Sequence, residues 1–411
     1  MRLRGRPGSS GTALAGSGIA AEGDVALSAA KGKIDILSGQ DTLSQRSDSS
    51  SRQIGDLGGT GYSGTVGVRS ESHHTDFNQT TQNTIRSQVV SKSGNVTMSA
   101  GENITARGAD IAAGNDVTMI GKNVILDPGT DAASQNESHR VSQYGTTLAL
   151  SGYTVTAAQA VENAAHAVED KKDGRVATLY GVQAGLAIAN GIQGIQTVTS
   201  GGVSQTAAIK VTASVGGGSQ SSESHSQAST NQGSAVKAGN AVTIVATGSG
   251  QKDADGFATD GDISGRGAQI EGKTVTLSAA RDVNLESAQD HATLDSRSSG
   301  SNASIGVGFG LGGDQNGFTL ELAASQNKAR ANGESVTNHN SHVLGTDRVT
   351  VLSGRDTNLK GAQLIGDTVA GTVGRDLNIE SRPDTETYHS KESSSGMQAS
   401  ICVPPFCYGT T

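Results

Sequence analysis

Tryptophan is missing from this 411-residue chain, aromatic residues amount to 3%, and there are only 5 Pro and 2 Cys. A compact core normally leans on aromatics for buried area, so apolar surface must be buried here in another way. The cysteines, Cys402 and Cys407, sit together at the end. A disulfide-stabilised fold would spread them along the chain, which leaves backbone pairing and small-residue packing to supply stability. Charged residues are also few, at 17%; with Pro scarce as well, that is not the composition of a disordered chain. Lys plus Arg is 31 against 39 for Asp plus Glu, a net charge of −8. Phosphate binding needs a basic face, so no nucleic-acid partner is expected. The basic start, Met1 to Arg6, runs into alternating Gly, Ser and Ala over Gly8–Ala21 rather than an apolar h-region. That is too weak for a signal peptide, so an exported protein of this sequence is expected to be an internal fragment.

Glycine is what abounds, with 57 residues, about twice the usual ~7%. Self-similarity explains it. Four segments share one pattern: Gly23–Asp41, Gly94–Asp131, Gly239–Asp290 and Gly345–Asp384. Val275 to Leu285 and Val349 to Leu359 are the best copies, short alternating runs joined by Gly, Asn and Asp. Alternation marks half-buried strands, and the joining residues suit turns. Val96 to Val117 is a step of 21 residues, while Val349 to Val369, Thr357 to Leu377 and Ile263 to Val283 are steps of 20. Three short strands recurring at that interval form one rung of a parallel β-helix. Rungs stack ~4.8 Å apart, so inward Val, Ile, Leu and Ala build a narrow core without aromatics.

Inserts between the rung blocks also repeat. Each opens with a Ser-rich stretch, as at Ser47, Ser296 and Ser390, followed by a Gly-alternating strand such as Thr65–Val68, Val211–Val215 or Ile305–Leu311. The last meets a Gly-rich turn and then Phe318–Leu322, which predicts a β-hairpin projecting from the helix. One insert differs. Val161, Ala164, Ala165 and Val168 fall at helical spacing within Tyr153–Asp173, and a second, uncharged segment runs from Val176 to Val198. Together they predict a helical hairpin. The second segment could reach across a bilayer, with Val176, Leu179, Val182, Leu186, Ile188, Ile192, Ile195 and Val198 as membrane-contact residues. Gln183, Asn190, Gln193, Gln196 and its glycines favour instead a surface helix packed on its neighbour.

Turn aspartates Asp116, Asp282, Asp356 and Asp376 suggest a carboxylate ladder, and glycosidases need a paired acid and base. Each, however, follows Asn115, Arg281, Arg355 or Arg375, so turn bonding with charge compensation is expected rather than catalysis. The acidic stretch Asp253, Asp255, Asp260 and Asp262 resembles a Ca²⁺ loop but lacks the EF-hand's Gly at six and Glu at twelve. Glu71-Ser72-His73, Glu137-Ser138-His139 and Glu223-Ser224-His225 recur in separate modules. They would share a metal only if the inserts met in space; duplication is the simpler origin. No metal or other cofactor is expected.

Blocks such as Val349-Thr-Val-Leu-Ser-Gly-Arg-Asp-Thr-Asn-Leu-Lys360 and Gly374-Arg-Asp-Leu-Asn-Ile-Glu-Ser381 resemble the haemagglutinin repeats of filamentous haemagglutinins and contact-dependent growth-inhibition exoproteins. The resemblance runs from about Gly16 to the end. It implies a right-handed β-helical filament, secreted to the bacterial cell surface through an outer-membrane transporter barrel by two-partner secretion. It also implies association with the target cell's outer membrane during toxin delivery. No secretion domain or toxin domain is recognisable here, and Val161-Glu162-Asn163 matches only the start of a pre-toxin marker that Ala164 breaks. In an oxidising exterior Cys402 and Cys407 are expected to close a small disulfide loop.

The sequence therefore predicts an all-β, right-handed parallel β-helix with rungs of about 20 residues, protruding β-hairpins and one helical hairpin. Its expected divisions are 1–93, rungs plus hairpin; 94–152, rungs plus hairpin strand; 153–210, helical hairpin; 211–344, rungs with hairpins; and 345–411, rungs and a Cys-containing tail. The expected function is a non-enzymatic structural and binding segment of a secreted adhesin or toxin-delivery protein. The alternatives are a β-helical polysaccharide-degrading enzyme and a truncated remnant.

Overall fold

The computed structural model describes residues 2–4, 11–59, 63–151, 207–313 and 315–409. Every regular element among them is a β-strand, and the strands fall into two systems: stacked parallel rungs and one antiparallel sheet. The rungs form a three-faced β-helix. Its third face is an 8-stranded parallel sheet, and its first two faces merge into a 12-stranded one. They merge because Gln269–Ala279, Ser341–Ser353 and Ala362–Val373 each run through both faces, bending where the register shifts.

Ladders of like residues explain why these strands stack. On the second face Val25, Val96, Val117, Val242, Val275 and Val349 pair in unbroken register. On the third, Ile34, Ile104, Val124, Ile263 and Val283 do the same. The first carries Ile19, Val89, Ile111, Val236, Ile270 and Val343. All of these side chains are buried, most of them fully. Each wall sends two or three small or aliphatic side chains inward per level, as Val25, Leu27 and Ala29 or Ile34 and Ile36 do, and three such walls so close together fill the core without aromatics.

The corner between the third and first faces alternates in character. In one set of rungs it is turned by a left-handed glycine: Gly16, Gly108, Gly267 or Gly361, with φ of 55°, 54°, 59° and 63°. A Cβ on Gly108 or Gly267 would come within 2.8 Å of Gly129 or Ala288 in the next rung, so only glycine fits. In the intervening rungs the same corner opens into the strands Asp41–Asp56 and Ser63–Thr81, then Gly129–Ser151 and Ala207–Gln232, then Ala288–Gly313 and Gln315–His339, and finally Thr385–Gly409. Strands sit ~4.8 Å apart in either system. Two strands leaving every second rung therefore supply one strand per rung, and the inserts are spaced to pair with each other.

They do pair. The inserts are not separate projections, as the sequence suggested, but one continuous 7-stranded antiparallel sheet in chain order. The Ser-rich stretches lie inside its strands. The predicted helical insert, 153–210, is corrected at its end, because Ala207–Lys210 begins a strand paired with Leu311 and its neighbours. The rest of it, including Val176 to Val198, lies outside the described residues.

Where the chain returns from an insert, a buried serine staples the corner. Ser234 Oγ donates to the Asp127 carbonyl at 2.8 Å and accepts from the Ala109 N–H at 3.2 Å. Ser341 Oγ donates to the Glu286 carbonyl at 2.6 Å and accepts from the Ala268 N–H at 3.0 Å. Successive inserts are tied at their bases by Asp131, Asp290 and Asp384, which accept backbone N–H bonds from Asn83, Asn231 and Asn338.

Candidate functional site

Beyond its base, the antiparallel sheet has two unlike faces, set by strand alternation. Register places Val66, Tyr144, Leu148, Leu150, Val211 and Val215 on one side. Ile305, Val307, Phe309, Leu311 and Phe318 continue it, and Ile401 closes it on the last strand. Each is exposed, Tyr144 by 71%. Phe309 and Phe318 meet edge to face at 5.0 Å. Among the described residues, the strands from Val66 to Ile401 carry no Asp, Glu, Lys or Arg on this side along the band, and Asp56, paired with Val66, stands at its edge. A contiguous apolar surface of that kind is uncommon on a soluble protein and marks an interaction site.

The opposite side is small and polar. Gly216, Gly306, Gly308 and Gly310 alternate with the apolar residues, and Thr65 and Thr147 share a 2.8 Å hydrogen bond. Lys210, 1% exposed, reaches Glu321 Oε1 at 2.6 Å and Ser400 Oγ at 2.9 Å. Thr319 and Ser400 also donate to that carboxylate. Lys210 and Glu321 stand on strands separated by Ala288–Gly313, and they meet over Gly308, where a Cβ would lie 2.8 Å from the Lys210 side chain. The sheet thus curls toward its polar side, and the absence of side chains on the middle strand is what lets the buried charges pair.

The residues singled out in the sequence fall elsewhere. The turn aspartates form a ladder. Asp262 accepts from Arg281, Asp282 from Arg355, and Asp356 from Arg375, each across one rung. The next aspartate's backbone N–H bonds to the same carboxylate at 3.0–3.2 Å. Arg375 holds the Asp356 carboxyl below the usual carboxylate range. Asp116 is bonded instead by Asn240 and the Ala241 N–H. Asp262, Asp282, Asp356 and Asp116 are thus each taken up by an arginine or asparagine of the neighbouring rung. In the acidic loop Asp253 accepts from the backbone of Asp255 and Phe257, while Asp260, bonded by Lys122 and Ser249, is lowered to about 2.

The three Glu-Ser-His triplets meet on adjacent strands, with His73 opposite His139 and Glu223 opposite Ser138. His139 Nε2 lies 2.7 Å from Glu71, His73 lies 3.7 Å from Glu137, and the two rings approach at 6.0 Å. The third, His225, bonds Asn136. No group of three or more potential metal ligands is assembled among the described residues. Cys402 and Cys407 are joined as a disulfide, with Cα atoms 5.3 Å apart. They face Thr319 and Gly317, so the bond closes a bulge in the last strand. No helix among the described residues is long and apolar enough to cross a membrane.

A family model described as hemagglutinin repeat matches residues 6–143, 66–183 and 215–396. The chain is 36% identical over 92% of its length to the 16S rRNA endonuclease CdiA of Enterobacter cloacae, covering 11% of that protein. It is 32% identical over 92% of its length to a tRNA nuclease CdiA of Escherichia coli, covering 12% of it. It is 33% identical over 95% of its length to the deoxyribonuclease CdiA of Yersinia pseudotuberculosis, covering 35% of it. The chain thus spans a minor part of each relative. No solved structure matches it.

Proposed function

The chain belongs to the hemagglutinin-repeat family, and from that premise we propose that it joins a rigid rod to a surface that engages the outer membrane of a target cell. It is a structural segment of a CdiA-like exoprotein secreted to the bacterial cell surface. The rod is the stacked rungs. The engaging surface is the apolar face of the antiparallel sheet, and its exposure is the observation that carries the proposal. Secretion would run through an outer-membrane transporter barrel, the export partner of this family.

The segment acts without chemistry of its own. The nuclease activities in the relatives' names belong to proteins of which this chain matches only a part. The carboxylates that a polysaccharide-degrading enzyme would use are held by arginines along the ladder.

Co-sedimentation with outer-membrane vesicles tests the reading. The wild-type chain is expected to pellet with vesicles, and the pair Val211→Asp and Val307→Asp to remain in the supernatant with unchanged circular dichroism. Equal pelleting of wild type and variant would move recognition to another surface.

A further inference from the structure

Arginine holds the carboxylates of the rungs. Asp262, Asp282 and Asp356 pair with Arg281, Arg355 and Arg375, and Asp110 pairs with Arg86. Arginine suits such pairs, because its guanidinium stays charged and grips both oxygens of a carboxylate. The buried pair of the sheet departs from this. Its cation is Lys210, the only lysine or arginine that is buried among the described residues. An ammonium is a poorer choice for a dry ion pair, but it can give up a proton and become a nucleophile. We propose that it does so here, and that Lys210 Nζ and Glu321 Cδ are joined by an amide bond.

The geometry is that of a reaction site. Nζ lies 2.6 Å from Glu321 Oε1, and both side chains are withdrawn from water. Burial penalises two charges relative to an uncharged product. Ser400 Oγ accepts from Nζ at 2.9 Å and donates to Oε1 at 2.9 Å, which closes a triangle along which a proton can pass. Thr319 Oγ donates to the same oxygen at 2.5 Å and holds the carboxylate in place. The strand between the partners carries Gly308 at this point. A Cβ there would lie 2.8 Å from the Lys210 side chain, 2.8 Å from Thr319 Oγ and 3.1 Å from Glu321 Oε1. Groups held together in this way condense in an effectively unimolecular step.

The step balances without a co-reactant. Nζ passes one proton directly to Oε1, which leaves an amine beside a carboxylic acid. The amine's lone pair attacks Cδ and forms the Nζ–Cδ bond. A second proton travels from Nζ through Ser400 to Oε1. The Cδ–Oε1 bond then breaks, its electron pair departs with the oxygen, and one water is released. Oε2 remains as the amide carbonyl, and Nζ keeps one hydrogen. The bond ties Ala207–Gln232 to Gln315–His339 across the strand that separates them. It stands beside the disulfide, because Cys402 pairs with Thr319. The curl of the sheet is thereby fixed covalently where its backbone pairing ends.

Mass spectrometry of the full chain tests this. Reduced and denatured, the wild-type protein is expected to weigh one water less than its sequence. Trypsin should leave the bond between Lys210 and Val211 uncut and release Val176–Lys237 joined to Ser298–Lys328. Lys210→Arg keeps the charge but cannot condense, so it should show the full mass and an unjoined Ser298–Lys328 peptide. Ser400→Ala removes the relay and should leave most molecules at full mass.

A wild-type chain of full mass that is cut after Lys210 overturns the amide and leaves a buried ion pair. A loss of water that persists in Lys210→Arg overturns it as well, since the dehydration would then lie elsewhere. Complete joining in Ser400→Ala overturns the relay. The wild-type peptide map decides the main point whether or not either variant folds.

Discussion

The rungs and the antiparallel sheet use the same alternation and the same strand spacing, yet they send their large side chains in opposite directions. In the rungs from Ile19 to Leu359 the inward Val, Ile and Leu are buried from water, with Asn, Asp and Arg at the turns, while Leu377 and Ile379 of the last rung are exposed. In the outer half of the sheet Val, Ile, Leu and Phe point outward, and Gly, Ser and Thr point into the curl. The rungs have three walls that converge, so branched aliphatics fill the space between them. The curled sheet has one wall bent on itself, and only small residues leave room for the Lys210–Glu321 pair. Alternation alone therefore fixes which residues share a face, and the number of walls decides which face is inside.

Removing one rung breaks the match between the two systems most severely. Deleting Ser341–Gly361 joins Asn340 to Ala362, which is the register equivalent of Ser341, so the rungs can close up. The last strand would then leave one level too early to pair with Gln315–His339. Limited proteolysis should find Thr385–Gly409 newly cut while the earlier rungs resist. Retained protection of that strand would show that the sheet does not depend on rung spacing.

Truncating one buried side chain comes next. Ile263 is fully buried in the third-face ladder, and Ile263→Ala should destabilise the chain by about 2–5 kcal/mol in denaturant unfolding. Val307→Ala, on the exposed face, should change stability by no more than about 0.5 kcal/mol. A comparable loss at both positions would mean that the apolar sheet face is covered in solution.

The rungs were legible because each carries its own signal, a strand of period two and a repeat near 20 residues. The merged sheet was not, although its strands were. Whether Ile305 or Gly306 faces solvent depends on the curl, and which insert pairs with which depends on the rungs between them. The alternation of corners was nevertheless present in the sequence. Gly108 and Gly267 each follow an arginine and precede an alanine, and the inserts begin where that glycine turn is missing. Lys210 and Glu321 gave no warning of their pairing, because nothing local to either residue encodes a neighbour two strands away. The meeting of His73 with His139 required the same long-range register.

Charge pairs sharpen the contrast further. Asp282 is buried and is held by Arg355 across one rung. Arg355→Ala leaves that carboxylate with the Asp356 N–H and a longer, 3.7 Å contact to Arg281, and should cost about 1–3 kcal/mol. Asp295 and Arg297, on the sheet, are both exposed at 3.3 Å, so Arg297→Ala should cost less than about 1 kcal/mol. Equal effects in thermal unfolding would mean that the arginine ladder is solvated like any surface pair.

Titration separates the two regions by the smallest effect. His74 lies on the sheet between Asp48 and Asp76, and its hydrogen bond to Asp48 raises its pKa above the usual histidine value. A raised folded pKa stabilises below the unfolded value, and that stability is lost as pH rises through the folded value. Raising the pH from about 6 to about 8 should therefore loosen the sheet near Ser70–Asp76 and leave the rungs unchanged. In the rungs Asp356 is lowered by Arg375, and Asp260 is lowered to about 2 by Lys122. Lowered carboxylates stabilise above their unfolded pKa and lose that contribution as pH falls through the folded one. Acidification from about 4 to about 2 should accordingly loosen the rungs at Ile263–Arg266 and Thr357–Lys360. Glu71, lowered by its hydrogen bond to His139, adds an acid response to the sheet as well. The alkaline step is thus the discriminating one, and amide exchange reads it. Loss of protection in both regions between those two higher pH values would mean that the rungs and the sheet open as one unit.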